Sequence, residues 1–272
     1  MRRLYIFMVM ATIALHALAQ KDVPGKKDNN MSNNLRKVSI IQGATQAQAD
    51  SLYKKDDFDK AAQMYESLLT MEGESPVYYY NLGNCYYKLN NIPQAIICYE
   101  RAFLLDPGDA DIRANLALAR GKTVDKVTPP SEMFFVTWAK AVVNSMSIDK
   151  WAVVAITSFC LMLVLLLVYF FSATIWVRKV GFYGAVALLV LCTVANLAAY
   201  SQHITLTERD YAIVISPSIV VRSSPNESST ELFVIHEGSK VHVEDASMKG
   251  WREIKLEEGK IGWVPVDAIE VI

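Results

Sequence analysis

The chain has 272 residues, 52% of them hydrophobic, and 27 basic against 28 acidic side chains leave a net charge of -1. A mean hydropathy of +0.19 is too high for soluble domains throughout, so part of the chain belongs in lipid, while the near-neutral balance excludes a basic nucleic-acid binder. The 4 cysteines form no CxxC pair and no His/Cys cluster, which argues against a disulfide-dense fold and against a structural zinc site.

The first 20 residues carry Arg2 and Arg3, an apolar run over 4–15, and the small-residue pattern Ala17-Leu18-Ala19. This layout predicts a secretory signal peptide over 1–19, cleaved near Ala19, with an uncleaved anchor helix as the alternative. In either case the chain that follows is exported. Residues 20–43 are rich in Lys, Asn and Gly and bury too little surface to order themselves, so they read as a tether.

Helical periodicity begins near residue 44 and carries a self-match at a period of about 34 residues: Ala61, Tyr65 and Leu68 return as Ala95, Tyr99 and Ala102. Leu82, Gly83, Tyr86, Ala95, Tyr99, Ala102 and Pro107 fall at the landmarks of the tetratricopeptide pattern, which the segment resembles. Each such repeat is two antiparallel helices, with small residues where the backbones approach, aromatics beside them and a proline ending the second helix. The preceding copy is degenerate, with Ala49 and Leu52 at the Gly and Tyr positions, and a helix over 110–120 is expected to cap the stack. The predicted repeat domain is 44–122. Its first helices should line a groove for extended peptides or partner helices, and Tyr80, Asn84, Tyr87, Lys88 and Asn115 are the candidate binding residues. Asn84 and Asn115 stand where peptide-clamping tetratricopeptide proteins hold the ligand backbone, whereas Tyr80 replaces a lysine that those proteins use on a terminal carboxylate. Solvated polar surface is the plainer reading of these five. Cys85 and Cys98, on opposite helices of one repeat, are read as buried small hydrophobes, with a disulfide as the alternative.

Residues 123–150 are read as a linker, broken at Pro129-Pro130, and an amphipathic interfacial helix with Phe134, Phe135, Trp138, Val142 and Val143 on one face. Two stretches of about 20 nearly uncharged residues follow, 151–171 and 180–200, each long enough for a transmembrane helix. The loop 172–179 carries Arg178 and Lys179 and no acid, and so is assigned to the cytoplasm. That topology places the repeat domain and the C-terminal segment together in the periplasm of a bacterial inner membrane. Asn196, beside Ala195, Ala198 and Ala199, is expected either to bond across the helix pair or to border a close-packed face.

From 205 to 272 the pattern changes to about five or six short β-branched runs separated by turn signals. Arg222 in V-R-x-x-P, the E-G turn at Gly238, Trp251, and Trp263 in the G-x-x-G-W-V ending resemble the landmarks of the bacterial Src-homology-3-like barrel. Trp251 and Trp263 are read as core residues, and an exposed one would be a stacking platform. His236 and His242, near Glu237, Glu244 and Asp245, share no face and are read as solvated surface rather than metal ligands.

The expected fold is thus a multi-domain membrane protein with α-helical tetratricopeptide repeats, a two-helix transmembrane hairpin and a small all-β SH3-like barrel. No nucleophile, metalloenzyme or phosphate-loop motif is present among the 272 residues, so no catalytic, cofactor or metal site is assigned. In its order of parts, together with NLALARGKTVDK and FFVTWAK, the chain resembles the BatE-like tetratricopeptide proteins of the Bacteroidetes aerotolerance (Bat) operon. The resemblance implies an inner-membrane assembly with von Willebrand A-type Bat proteins and a MoxR-type ATPase, tied to aerotolerance or envelope stress. Expected partners are membrane or periplasmic proteins and the lipid bilayer, with no nucleic acid. The expected function is a non-enzymatic scaffold; the alternatives are an envelope sensor binding peptidoglycan or peptide through the barrel, and an envelope enzyme.

Overall fold

In the computed structural model, residues 41, 43–126 and 133–272 are described. The expected signal peptide, nearly all of the tether, and Pro129-Pro130 lie outside the described residues. Five helices come first: α1 (Gln46–Lys54), α2 (Phe58–Glu72), α3 (Pro76–Lys88), α4 (Ile92–Leu105) and α5 (Ala110–Gly121). Each start has a local chemical reason. Thr45 and Gln48 form a capping box on α1, Asp57, Asn91 and Asp109 accept N-terminal amides of α2, α4 and α5, and Pro76 and Pro93 occupy first-turn positions where no N–H is needed.

The turns within the two helix pairs share one geometry. Asp56 (φ 60°) and Asn90 (φ 58°) adopt the left-handed conformation, tolerated by these residue types, and each precedes the capping residue of the next helix. The degenerate first copy therefore turns as the second does, about 34 residues earlier. Inside the second pair, a Cβ on Gly83 would lie 2.7 Å from the Tyr99 ring, so only glycine lets α3 approach α4 this closely. Leu82, Gly83, Ala95, Tyr99, Ala102 and Pro107 are buried; Tyr86 is half-buried, its hydroxyl donating to Glu66.

Next come the short helix α6 (Phe134–Val143) and the long helices α7 (Ile148–Phe171) and α8 (Ile175–Thr207). Among the described residues α7 and α8 are the two helices long and apolar enough to cross a membrane. Both extend beyond the expected 151–171 and 180–200. They pack through small residues: Ala155, Gly181, Ala185, Ala195 and Ala198 are buried, and a Cβ on Gly181 would lie 2.9 Å from the Leu165 carbonyl oxygen. Asn196 is exposed and donates within its own helix to Cys192 O at 2.8 Å, so of the two expectations the close-packed face is the one realised. Phe134, Phe135 and Trp138 of α6 are exposed. Gln202 of α8 fixes the end of α6, donating at 2.7 Å to the carbonyl oxygens of both Val143 and Met146.

The C-terminal part is an antiparallel sheet of seven strands in the order β3-β2-β6-β5-β4-β1-β7: β1 (Tyr211–Val214), β2 (Ser218–Arg222), β3 (Glu231–His236), β4 (Lys240–Asp245), β5 (Trp251–Lys255), β6 (Ile261–Pro265) and β7 (Ile269–Val271). The order is linear, with β3 and β7 at its ends, and a closed barrel is not what the pairing gives. Its core is aliphatic: Ala212, Val214, Val221, Ile235, Val241, Ile254, Val264 and Ile269.

The sheet is not separate from the repeats. Ile213 and Ile272 pack into one core with Ile96, Ile97, Tyr99, Leu116 and Ala119. Strand β1 is thus buried on both faces, Ala212 and Val214 toward the sheet core and Ile213 toward α4, which is why its sequence runs apolar without alternation.

Candidate functional site

Three places gather the polar chemistry of the described residues: the groove of the repeats, the seam between repeats and sheet, and one face of the sheet.

The groove is formed by α1, α3 and α5. A cavity of about 180 Å³ is lined by Tyr53, Asn84, Tyr87, Lys88, Tyr99, Asn115 and Leu118. Four of the five predicted binding residues line it, and the fifth, Tyr80, is joined to it through Asn115. The Asn115 amide donates to Tyr80 Oη at 3.1 Å and to Asn84 Oδ1 at 2.9 Å. Tyr99 Oη also donates to Asn84 Oδ1, at 2.8 Å. With Asn84 Oδ1 engaged twice, Asn84 Nδ2 and Asn115 Oδ1 have no partner among the described residues. One donor and one acceptor held in place match the C=O and N–H of an extended backbone. Tyr99 is the member that sequence reasoning placed only in the core; its ring is buried, but its hydroxyl orients Asn84. Lys122 Nζ lies 4.0 Å from the centre of the Tyr87 ring, so with Lys88 the rim is basic.

The seam is carried mainly by α4 of the repeats. Glu100 is 1% exposed and accepts from Arg120 of α5 and, at 2.9 Å, from Lys240 of β4. Burial pushes its carboxyl up, but the Lys240 and Arg120 charges and their hydrogen bonds more than offset this and hold it below the ordinary carboxylate range. Arg101 donates to Glu270 Oε1 at 2.9 Å and to Val271 O at 2.8 Å, and Gln94 donates to Glu270 Oε2 at 3.1 Å. Beyond α5, Asp125 accepts from His236 N and Ser239 Oγ, both at 2.7 Å, and lies 2.9 Å from His236 Nδ1. His236 is therefore part of the seam, correcting the expectation that it is solvated surface. His242 instead stands edge-on to Tyr211, with ring centres 5.1 Å apart. Among the described residues no group of three or more His, Cys, Asp or Glu could hold a metal.

The sheet face corrects a second expectation. Trp251 and Trp263 are half-buried and are not in the aliphatic core. The register explains it: Trp263 pairs with Glu253 and Arg222, and Trp251 with Pro265, which puts both indoles and Arg222 on the face opposite Ile254 and Val264. Arg222 is held there by a 2.9 Å bond from Nη1 to Ser229 O.

Cys85 and Cys98 are buried and unpaired. Burial pushes the Cys85 thiol up to about 12 and Cys98 higher still, so both pack as small apolar groups with little thiolate character.

Residues 76–109, which contain α3, α4 and the turn after them, match the tetratricopeptide-repeat family. Repeats of this kind mediate contacts between proteins and are typically non-enzymatic. No curated protein matches the chain.

Proposed function

We propose that this protein is a non-enzymatic scaffold anchored in a membrane by α7 and α8, whose repeat groove holds an extended segment of a partner protein. The observation that carries this reading is the set Tyr80–Asn84–Tyr99–Asn115, which fixes one free amide donor and one free carbonyl acceptor at a groove lined by no residue of the sheet. A hairpin returns the chain to the side it left, and the repeats and sheet bury a common core, so the two lie on one side of the bilayer. Arg178 and Lys179, at the start of α8 beside the short connection, favour the cytoplasm for the hairpin tip and hence the periplasm for both domains. The resemblance to the BatE-like proteins supports a Bat-type envelope assembly as the setting, with von Willebrand A-type proteins as partners.

The test is a peptide array probed with the full-length protein in detergent, followed by fluorescence polarisation on the peptides retained. Losing two backbone hydrogen bonds of about 1 kcal/mol each in Asn84→Ala/Asn115→Ala should weaken binding about 30-fold. Unchanged binding in a variant that keeps its helical content would place the ligand elsewhere and sink the groove reading.

A second reading, an envelope sensor, is favoured by the sheet face. Trp251, Trp263 and Arg222 present two half-exposed indoles and a cation where sugar rings or a peptide can stack.

A further inference from the structure

The tip of the helical hairpin holds two cations, Arg178 and Lys179, far from any acid in the surrounding sequence. Between Asp149 and Glu208 the sequence contains no acid, and those two sit at the far ends of α7 and α8, about 30 Å or more along the helices from the tip. Among the described residues neither Arg178 nor Lys179 has a carboxylate partner. Instead, the Arg178 guanidinium carbon lies 5.4 Å from the centre of the Tyr169 ring, and Lys179 Nζ lies 5.6 Å from that of Trp176. Both cations edge a concavity of about 320 Å³, lined also by Tyr169, Ile175, Phe182 and Tyr183. Tyr169 and Phe182 meet across the two helices at 5.8 Å, an approach made possible by Gly181, whose position leaves no room for a Cβ against the Leu165 carbonyl.

We infer that this concavity is a binding site for the headgroup of an anionic phospholipid, the Arg178 and Lys179 charges taking the phosphate and the aromatic walls the glycerol region. The inference rests on the reading that α7 and α8 cross a bilayer. In that setting the site lies where the apolar stretch of both helices ends, at the depth of the phosphates, and exposed Phe170, Phe171 and Val180 continue the apolar surface beside it. Orientation of the hairpin by positive charge requires only that Arg178 and Lys179 be basic. It gives no reason for a guanidinium stacked on Tyr169 or for the aromatic concavity between the helices.

The experiment uses the full-length protein, floated with phosphatidylcholine vesicles with and without phosphatidylglycerol, then extracted gently for native mass spectrometry of the retained lipid. At roughly 5-fold per cation, phosphatidylglycerol should be retained over phosphatidylcholine by about 25-fold. The preference should vanish in Arg178→Gln/Lys179→Gln and fall several-fold in Tyr169→Leu/Phe182→Leu, which keeps the charge at the tip and hence the orientation. Inorganic phosphate should not displace the lipid. A protein that floats but retains both lipids equally overturns this site while leaving the anchor intact. Full retention of the preference in Tyr169→Leu/Phe182→Leu overturns it also, reducing it to diffuse attraction, and displacement by phosphate overturns the lipid as ligand. A protein that fails to float overturns the anchor and the site together.

Discussion

Substituting Gly238 by Ala tests whether the β3–β4 turn rests on the repeats. Gly238 has φ 82°, and a Cβ there would lie 2.5 Å from Thr123 Cγ2 and 3.1 Å from Ile96 Cδ1. Gly259, in the β5–β6 turn, has φ 86° with nothing within 4 Å of its Cβ position. Both substitutions carry the left-handed penalty of about 1–2 kcal/mol, and only Gly238→Ala adds an overpacking penalty of about 1–3 kcal/mol. Thr123→Ser removes the methyl in the way while keeping the hydroxyl that donates to Arg120 O and Asp125 O. The readout is hydrogen exchange of the His236 amide, whose acceptor, Asp125 Oδ2, lies across the seam. Gly238→Ala should speed that exchange about 10-fold or more relative to Gly259→Ala, at 1.4 kcal/mol per decade, and adding Thr123→Ser should recover most of the difference. Equal effects of the two glycine variants, or no rescue by Thr123→Ser, would refute the docked arrangement.

The seam should also loosen in acid. Burial opposes ionisation of Glu100 and Asp125, but their hydrogen bonds and charged partners outweigh it, so both carboxyls titrate below their ordinary values of 4.5 and 3.8. The docked state then binds fewer protons than the open one; its stability is complete above those values and is lost as pH falls through them toward the lower folded values. The protection factor of the His236 amide, its exchange rate divided into the intrinsic rate at each pH, should fall in that window when followed downward from about pH 6, and Glu100→Gln should flatten the dependence; a flat wild-type protection profile would contradict the assignment. On the sheet face, Trp251→Ala/Trp263→Ala should abolish any binding of purified cell-wall fragments without unfolding the sheet, since neither indole belongs to its core, and retained binding would remove the platform from consideration.

The repeats were legible because their packing is local: Gly83 against Tyr99 and the paired turns at Asp56 and Asn90 recur at a fixed interval. The apolar helices were legible from length and hydropathy alone. The seam was not, because it joins Glu100 to Lys240, Arg101 to Glu270 and Asp125 to His236, pairs too distant in sequence to share a spacing. One signal was present nonetheless. The run YAIVI does not alternate, as a strand covered on one face would, and its Ile213 is the residue that enters the repeat core. The placement of the tryptophans was also within reach: Trp263 adjoins Val264 and Trp251 stands three before Ile254, so the parity of a strand puts each indole on the face opposite the aliphatic residue. Reading large aromatics as core set size above parity.

Tyr99 touches both the groove and the seam, and this separates scaffold from sensor. Its hydroxyl orients Asn84 in the groove, while its ring packs in the core that Ile213 and Ile272 enter. A sensor that binds its ligand on the sheet and relays it to the repeats requires that the docking of the sheet shift groove affinity, and by linkage groove occupancy must then shift docking by the same factor. In a scaffold the two are independent, and the packing of the Tyr99 ring against Gly83 within the repeat pair itself favours independence. Peptide affinity measured in Gly238→Ala should therefore stay within about 2-fold of the wild type even as His236 exchange rises. A change of about 5-fold or more, the lower end of allosteric coupling, would establish communication through Tyr99 and decide for the sensor.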